Sequence, residues 1–315
     1  MSLDTDKLME RRRQRRSALL WKVVAAIAAT AFVAVLVMRT VDTDDGLGEG
    51  LGAGGLLEEE RIARVIVTGM IVEDRHRDKL LRDLKDDDNI KAVIVEINSP
   101  GGTVVGGENL FLGLKDVAQE KPVVAVMGST ATSAAYMTAI GADRIFARRG
   151  TITGSIGVIM QTADLTGMLE KIGVKPETIK SGAFKAQPNP LEPLSEKARE
   201  QIEIVVMDMY ALFVALVAER RAMELEQVKE LADGRIYTGQ KALDVGLIDA
   251  IGGEAEAVVW LEEEKGLEAD LPVTTEKPKY PRPDYLERIL GAFGKVLVSE
   301  RLKLDGLLSV WHPEM

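Results

Sequence analysis

The chain of 315 residues contains no cysteine and only two histidines, and its net charge is −10. The lack of cysteine excludes disulfides, thiolate metal sites and thiol catalysis. The negative charge argues against nucleic acid as a partner. His76 lies in a charged run and His312 lies near the C-terminus, without the spacing of a zinc site. We therefore expect no metal and no cofactor, and a catalytic base other than histidine.

One uncharged run, VVAAIAATAFVAVLVM, follows an arginine-rich stretch at the N-terminus. Extended back to Ser17, it reaches the length of about 20 residues that spans a bilayer. The arginines predict residues 1–16 as a cytoplasmic tail, residues 17–38 as a transmembrane anchor, and the rest outside the cytoplasm. A cleaved signal peptide is the alternative, and the length of the run favours the anchor.

The rest of the chain divides by composition into three parts. Residues 39–60, rich in glycine and acidic side chains, are predicted to be a flexible linker. From residue 61 to 266, apolar runs alternate with helical patterns, which predicts an α/β sheet buried on both faces. TGSIGVIM and KPETIKS are expected to be strands, and Ser195–Met223 one long helix. Residues 267–315 are predicted to be a Pro-rich linker and an amphipathic segment that packs on the domain, a partner or the membrane.

Two strand ends could carry chemistry. The strand KAVIVEIN ends in Ser-Pro-Gly-Gly, where adjacent glycines let backbone N–H groups approach a carbonyl oxygen. Ser133 follows the strand PVVAVMG and opens a helix, where free N–H groups favour an anionic intermediate. Taken alone, Pro-Gly is an ordinary turn and Ser133 an ordinary helix cap. Ser129, Thr130 and Thr132 compete for the nucleophile's role.

A nucleophilic serine needs a base, and lysine is the remaining familiar partner. Most lysines of the chain lie in charged runs. Lys185 differs, because small and apolar residues surround it in the stretch SGAFKA. An apolar environment favours the neutral amine that accepts a proton. From the residues alone, a lysine in a surface loop fits at least as well.

The combined motifs resemble the signal peptide peptidase, or protease IV, family of membrane-anchored serine–lysine peptidases. The shared motifs are Pro100-Gly101-Gly102, GSTATS (128–133), TGSIGV (153–158), KSGAFK (180–185) and ADGRIYTGQKALDVGLID (232–249). The resemblance covers residues 64–260. It implies a fold related to Clp proteases and crotonases, a spiral of β-β-α units behind an N-terminal transmembrane helix.

The resemblance also implies the roles of individual residues. Ser133 is the implied nucleophile and Lys185 the implied general base. Gly102 and Ala134 are implied as oxyanion donors through their N–H groups, and Ser155 as the hydroxyl that orients the lysine amine.

The chain departs from the family pattern in two places. Members commonly carry Gly-Gly after the nucleophile, where this chain has Ala134-Ala135, and an acidic residue after the lysine, where it has Ala186. We expect the two alanines to narrow the site and to change substrate preference more than activity.

The implied activity is cleavage of remnant signal peptides and other extended apolar peptides by a ring of subunits. The catalytic domain would lie on the periplasmic or outer face of the cell membrane. One alternative is a crotonase-like acyl-CoA enzyme that uses the same oxyanion hole. The other is an inactive membrane scaffold, against which the presence of both Ser133 and Lys185 argues.

Overall fold

The computed structural model describes residues 59–280. The predicted tail and anchor, all but the end of the predicted linker, and the amphipathic C-terminal segment lie outside the described residues. In chain order the strands are β1 (Arg61–Ile71), β2 (Ile90–Gly102), β3 (Val123–Thr132), β4 (Arg144–Ala147), β5 (Ile152–Gly154), β6 (Ile236–Thr238), β7 (Ala250–Ile251) and β8 (Val273–Glu276). The helices are α1 (Arg75–Asp86), α2 (Val104–Val117), α3 (Ala134–Ala139), α4 (Thr166–Lys171), α5 (Glu196–Arg221), α6 (Leu225–Leu231), α7 (Gly239–Asp244) and α8 (Glu254–Lys265).

The described strands form one sheet in the order β6-β5-β3-β2-β1-β8, with β4 pairing β3 and β7. The pairs are parallel except β5 with β6, which is antiparallel. The predicted mixed α/β fold is confirmed. Because parallel strands end at the same edge, the sheet brings the carboxyl ends of β2, β3 and β5 together.

Both faces of the sheet are covered, which explains why its central strands are continuous apolar runs. On one face Phe111 of α2, Tyr136 of α3 and Phe213 of α5 pack against the strands. On the other face Phe146 and Leu261 belong to a second cluster with β1 and β2. The sheet therefore holds its carboxyl edge rigidly from both sides.

The long helix is confirmed as α5, and its two halves differ in burial. The second half buries Phe213, Val214 and Val217 in the core, whereas the first half exposes Ile204 and Met207. Of the described helices, α5 is the one long and apolar enough to cross a membrane by length and composition, and 17% of its apolar window is buried. The contacts of the second half attach α5 to the core of the domain.

Two strand predictions after β4 need correction. Only Thr153 and Gly154 of TGSIGVIM lie in a strand, and within the described chain KPETIKS forms none. Between β5 and α5 the chain forms the short helix α4 and otherwise runs without helix or strand, exposing Ile159, Ile172 and Ile179. A strand needs the backbone of a neighbour, and no described strand pairs with these residues.

The sheet also extends into the region expected to be a linker after residue 266. There β8 pairs with β1 as the edge strand, with Ile62 opposite Val273. Further on, Tyr280 donates to the Asp74 carboxylate, which caps α1, at 2.5 Å. Residues 267–280 are thus tied to the domain at two points.

Candidate active site

Ser133 lies in the turn between β3 and α3 with a backbone conformation rare outside glycine, φ 56° and ψ −123°. Its N–H donates to the Gly154 carbonyl at 2.9 Å, and among the described residues its hydroxyl caps no N–H of α3. Such a conformation costs about 1–3 kcal/mol and occurs mainly at functional sites. Sharp strand-to-helix turns of this kind present the serine of other hydrolases. Ser133 is therefore not an ordinary helix cap.

The glycine pair at the end of β2 lies directly against this turn. A Cβ atom on Gly101 would lie 2.9 Å from the Cβ of Ser133 and 3.2 Å from the nitrogen of Ala134. Gly101 also has φ 110°, which side chains rarely tolerate. A Cβ atom on Gly102 would lie 1.8 Å from the Ile71 carbonyl oxygen. Glycine at position 101 lets the loop approach the serine this closely, and glycine at position 102 lets the same loop lie against β1.

The direction of the Gly102 N–H follows from its neighbours. The Gly101 N–H donates to the Ser99 hydroxyl at 3.1 Å, which is itself bonded to β1, and the Thr103 N–H donates to Ile71 of β1 at 2.9 Å. Gly102 pairs in register with Ile71, so in this parallel pair the hydrogen bonds to β1 involve the residues on either side of Gly102. The Gly102 N–H between them therefore points away from β1, toward β3 and the nucleophile's turn. This direction fits the oxyanion role that the family resemblance implies.

The two alanines after Ser133 are buried, with Ala134 3% and Ala135 0% exposed. The methyl group of Ala134 faces α2, where a Cβ atom on Gly107 would lie 2.9 Å from it. The expectation that these alanines narrow the site is therefore wrong, because their methyl groups fill the core and α2 has a glycine where one of them packs. The Ala134 N–H is at the start of α3, where no partner within the helix exists.

Ser155 lies beside Ser133 at the edge of the sheet. Thr132 pairs with Gly154, so the two serines are the next residues on neighbouring parallel strands. Ser155 has φ 50°, and its N–H donates to the Arg235 carbonyl at 2.8 Å. The hydrogen bond from Arg235 lowers the pKa of Asp233 to about 2. The ADGR motif thus supports the turn that carries Ser155.

Lys185 does not lie in the apolar environment expected from its neighbours. The residue is exposed, Phe184 beside it is 53% exposed, and within residues 59–280 the Lys185 side chain makes no hydrogen bond or ion pair. The neighbours are apolar, but no other element of the described chain packs over them. The structure places Gly102, Ala134 and Ser155 around the turn of Ser133, and it places Lys185 in an exposed loop.

A polar network holds the loop that carries Lys185. Lys180 forms an ion pair with Glu192 and thereby lowers the pKa of that carboxyl group. The Asn189 amide donates to Glu192 at 2.5 Å and to the Ala186 carbonyl at 2.8 Å. The first lysine of the KSGAFK motif is therefore a structural residue of this loop.

Sequence reasoning missed three buried hydroxyl groups that join neighbouring strands beside the site. Each hydroxyl group donates a hydrogen bond to a backbone carbonyl of the neighbouring strand: Ser99 to Gly69 at 2.6 Å, Thr132 to Pro100 at 2.9 Å and Thr153 to Ala131 at 2.7 Å. Their signal in the sequence is a serine or threonine near the end of an otherwise apolar strand. Buried hydroxyl groups require a partner, so these bonds lock the strand ends to one another.

Among the described residues, neither a metal site nor a histidine base is found beside Ser133. Within residues 59–280 no group of three or more histidine, aspartate or glutamate side chains is placed to hold a metal ion. His76 packs its ring edge-on against Tyr280 at 5.1 Å, on α1. His312 lies outside the described residues.

A strained serine beside a glycine pair at the carboxyl edge of a parallel sheet is a candidate hydrolase site, and the comparisons name the family. The profile of Peptidase family S49 matches residues 115–268. The protein named "Putative protease slr0021" of Synechocystis sp. is 40% identical over 213 residues, 67% of this chain and 76% of that protein. The chain belongs to peptidase family S49 and is a serine peptidase, which confirms the resemblance seen in the motifs.

Two further relatives carry names of the same kind. "Putative signal peptide peptidase SppA" of Enterococcus faecium is 36% identical over 242 residues, 71% of this chain and 68% of that protein. "Serine protease SPPA, chloroplastic" of Arabidopsis thaliana is 34% identical over 235 residues, 72% of this chain and 34% of that longer protein.

Two solved structures are similar in fold at low sequence identity. A mutant of the 1510-N membrane-bound stomatin-specific protease gives a TM-score of 0.48 at 17% identity, covering 71% of this chain and 100% of that chain. ClpP1 from Listeria monocytogenes gives a TM-score of 0.41 at 20% identity, covering 60% of this chain and 91% of that chain.

Proposed function

We propose that the chain is a membrane-anchored endopeptidase in which Ser133 is the nucleophile and Lys185 the general base. The observation that carries this proposal is the strained turn at Ser133, closed on one side by Gly101. Strain of this kind persists only where the surrounding structure imposes it, and it exposes the hydroxyl at the edge of the sheet. Membership of family S49 supplies the reaction class, hydrolysis of a peptide bond.

The proposed mechanism proceeds through an acyl-enzyme. The Ser133 hydroxyl attacks the scissile carbonyl carbon while its proton passes to the neutral amine of Lys185. The N–H groups of Gly102 and Ala134 bind the oxyanion that forms. The leaving amine takes the proton from Lys185 as the C–N bond breaks, and water then hydrolyses the ester by the same route. Ser155 accepts an N–H of the lysine amine and directs its lone pair toward Ser133.

The exposure of Lys185 supports completion of the site by assembly. A lysine must be neutral to accept a proton, and burial is what favours the neutral form. Within the described chain nothing covers Lys185, and Ile159 and Ile179 of the same segment between β5 and α5 are 81% and 95% exposed. Exposed apolar side chains in this segment fit an interface between copies. We therefore assign to a neighbouring subunit of a closed ring the burial of Lys185 and its approach to Ser133.

The surface beside the glycine pair supports apolar, extended substrates. Met70 pairs in register with Gly101 and is 72% exposed, and Val72 beyond it is 46% exposed. An apolar rim next to the nucleophile matches peptides with small or apolar residues at the cut. Signal peptides left in the membrane after processing have this character, and the Enterococcus faecium relative carries the name of a signal peptide peptidase.

The membrane anchor remains a proposal from the sequence of residues 17–38. The arginine block before it places the N-terminus in the cytoplasm and the peptidase domain on the other side. A reporter that is active only outside the cytoplasm, fused after Asp249, should be active. Activity of a cytoplasmic reporter alone at the same position would exclude this topology.

A fluorophosphonate probe tests the proposed nucleophile. The probe requires an activated serine, so it should label the intact protein and not the Ser133→Ala variant. The intact protein should also hydrolyse peptides that have small residues at the cut, and the Ser133→Ala variant should not. Hydrolysis of acyl-CoA thioesters without peptide cleavage would instead favour the crotonase-like alternative, and the absence of both reactions would favour a scaffold.

A further inference from the structure

The peptide unit between Pro100 and Gly101 is held at both of its polar ends. The Thr132 hydroxyl donates to the Pro100 carbonyl at 2.9 Å, and the Gly101 N–H donates to the Ser99 hydroxyl at 3.1 Å. Ser99 in turn donates to Gly69 of β1 at 2.6 Å. Both hydroxyl side chains are buried, with Ser99 1% and Thr132 7% exposed. Because a peptide unit is planar, two bonds on opposite sides fix its orientation.

This orientation sets the direction of the next N–H along the chain. Gly101 turns the backbone with φ 110°, and the N–H that follows is that of Gly102. Once the preceding peptide unit is fixed, the Gly102 N–H can move only by rotation at Gly101, which lies tightly against Ser133 and the Thr132 carbonyl. The two hydroxyl groups therefore act on the N–H that faces the nucleophile.

The position of Thr132 in the chain makes the coupling direct. Thr132 is the last residue of β3 and immediately precedes Ser133. Its hydrogen bond connects the nucleophile's own backbone to the loop that would bind the oxyanion. A displacement of the loop away from Ser133 would have to break this bond first.

We infer that Thr132 and Ser99 are positioning residues that align the Gly102 N–H with the Ser133 hydroxyl. The inference rests on the proposed function, since it assigns the Gly102 N–H to the oxyanion. Alignment matters most in the transition state, where charge develops on the substrate oxygen. Loss of either hydroxyl group should therefore lower kcat and leave KM nearly unchanged.

The test compares Thr132→Val, Ser99→Ala and Thr132→Ser with a matched control. Thr151→Val is that control, because Thr151 is 2% exposed and donates to the Gly128 carbonyl at 2.7 Å, before the catalytic end of β3. Thr132→Val and Ser99→Ala should each lower kcat by about tenfold or more, with KM within about threefold. Thr132→Ser keeps the hydroxyl and should recover most of kcat. Thr151→Val should lower Tm without changing kcat.

The outcomes separate this inference from the proposed function. If Ser133→Ala abolishes hydrolysis and labelling while Thr132→Val and Ser99→Ala keep wild-type kcat, the positioning role is overturned and the nucleophile stands. The positioning role is also overturned if Thr132→Val and Ser99→Ala lower kcat no more than Thr151→Val does when the loss of Tm is equal. Should Thr132→Val fail to fold, Ser99→Ala and Thr132→Ser decide the question. If Ser133→Ala itself keeps full activity, the proposed function fails first, and this inference fails with it.

Discussion

Gly101 and Ser133 are in contact across the end of two parallel strands, so close that a Cβ atom on Gly101 would lie 2.9 Å from the Cβ of Ser133. The contact joins two motifs that are 32 residues apart in the chain, as the pairing of Ser99 with Ala131 also shows. The pairing of the strands in the sheet therefore sets the distance in space between Gly101 and Ser133.

Replacing Gly101 with alanine should lower the rate of peptide hydrolysis by about a hundredfold or more. The methyl group would meet Ser133 and the Thr132 carbonyl at 2.9 Å, at a φ of 110° that alanine avoids. A shift of the nucleophile by about 1 Å can cost roughly a hundredfold in rate. The Gly150→Ala variant is the control, since nothing lies within 4 Å of its added Cβ. Equal activity of the two variants would show that the loop does not bound the site.

Removing the side chain of Ser133 entirely should stabilise the protein as it inactivates it. Glycine relieves the strain at φ 56°, whereas alanine keeps the Cβ atom that causes it. We expect Ser133→Gly to gain about 1 kcal/mol in the free energy of unfolding, which raises Tm by about 2–4 °C. Ser133→Ala should show no such gain, and both should be inactive. Calorimetry of the three proteins measures this, and a Tm of Ser133→Gly below that of Ser133→Ala would contradict it.

Inactive variants of Ser133 and Lys185 should complement each other if the site is completed between copies. Ser133→Ala and Lys185→Ala should each be inactive alone, and Lys185→Arg as well, because a guanidinium group does not deprotonate. Coexpressed in one ring, the two alanine variants should recover about a quarter of wild-type activity by random mixing of subunits. No recovery in mixed rings would place the two residues of one site in the same chain. Activity of Lys185→Arg would remove Lys185 from the mechanism.

The ion pair of Asp233 with Arg235 should contribute to stability in a defined pH range. Its side-chain hydrogen bond lowers the pKa of Asp233 from 3.8 to about 2. A lowered carboxyl pKa stabilises the folded state fully above the unfolded value, and this contribution is lost as pH falls toward 2. Asp233→Asn should therefore lower Tm at pH 5 to 8, and the difference from wild type should shrink below about pH 4.

The same substitution should lower activity, because the Arg235 carbonyl accepts the Ser155 N–H. We expect a loss of several-fold in kcat. Asp83→Asn is the control, since Asp83 forms an exposed ion pair with Lys79 within α1. Identical kcat values for the two variants would separate the ADGR motif from the site.

His76→Ala should leave peptide hydrolysis close to the wild-type rate. His76 packs against Tyr280 beside α1 and forms no part of the arrangement around Ser133. A general base contributes about a hundredfold or more, so a loss of that size in a folded variant would overturn the serine–lysine assignment. A small decrease in Tm from the lost ring contact is expected.

The sequence was sufficient for the class of fold and for the family. Apolar runs at β1, β2 and β3 are continuous because both faces of the sheet are buried, and such runs are visible without any structure. Motifs that require glycine, such as Pro100-Gly101-Gly102, are also visible because no other residue tolerates their backbone or their packing. The position of Ser133 after a strand and before a helix follows from the same local pattern.

Contacts between segments distant in the chain could not be predicted from the sequence. The apolar residues next to Lys185 in the sequence led us to expect that Lys185 is buried, but the structure shows it exposed. Burial depends on another element packing over the loop, which the local sequence does not reveal. The local pattern also predicted a strand at KPETIKS, although a strand exists only where a neighbour supplies hydrogen bonds. The alanines after Ser133 face the core for a similar reason, since only the packing of α2 against α3 decides where a methyl group points.

Spacing in the sequence therefore determined which residues stand at strand ends, and the sheet decided which of those ends meet. Ser99, Thr132 and Thr153 look like ordinary polar residues in apolar strands until the register places each beside a carbonyl of the next strand. The physical reason is that backbone preference and amphipathic pattern are local, whereas a hydrogen bond between strands needs two distant segments at one distance and angle.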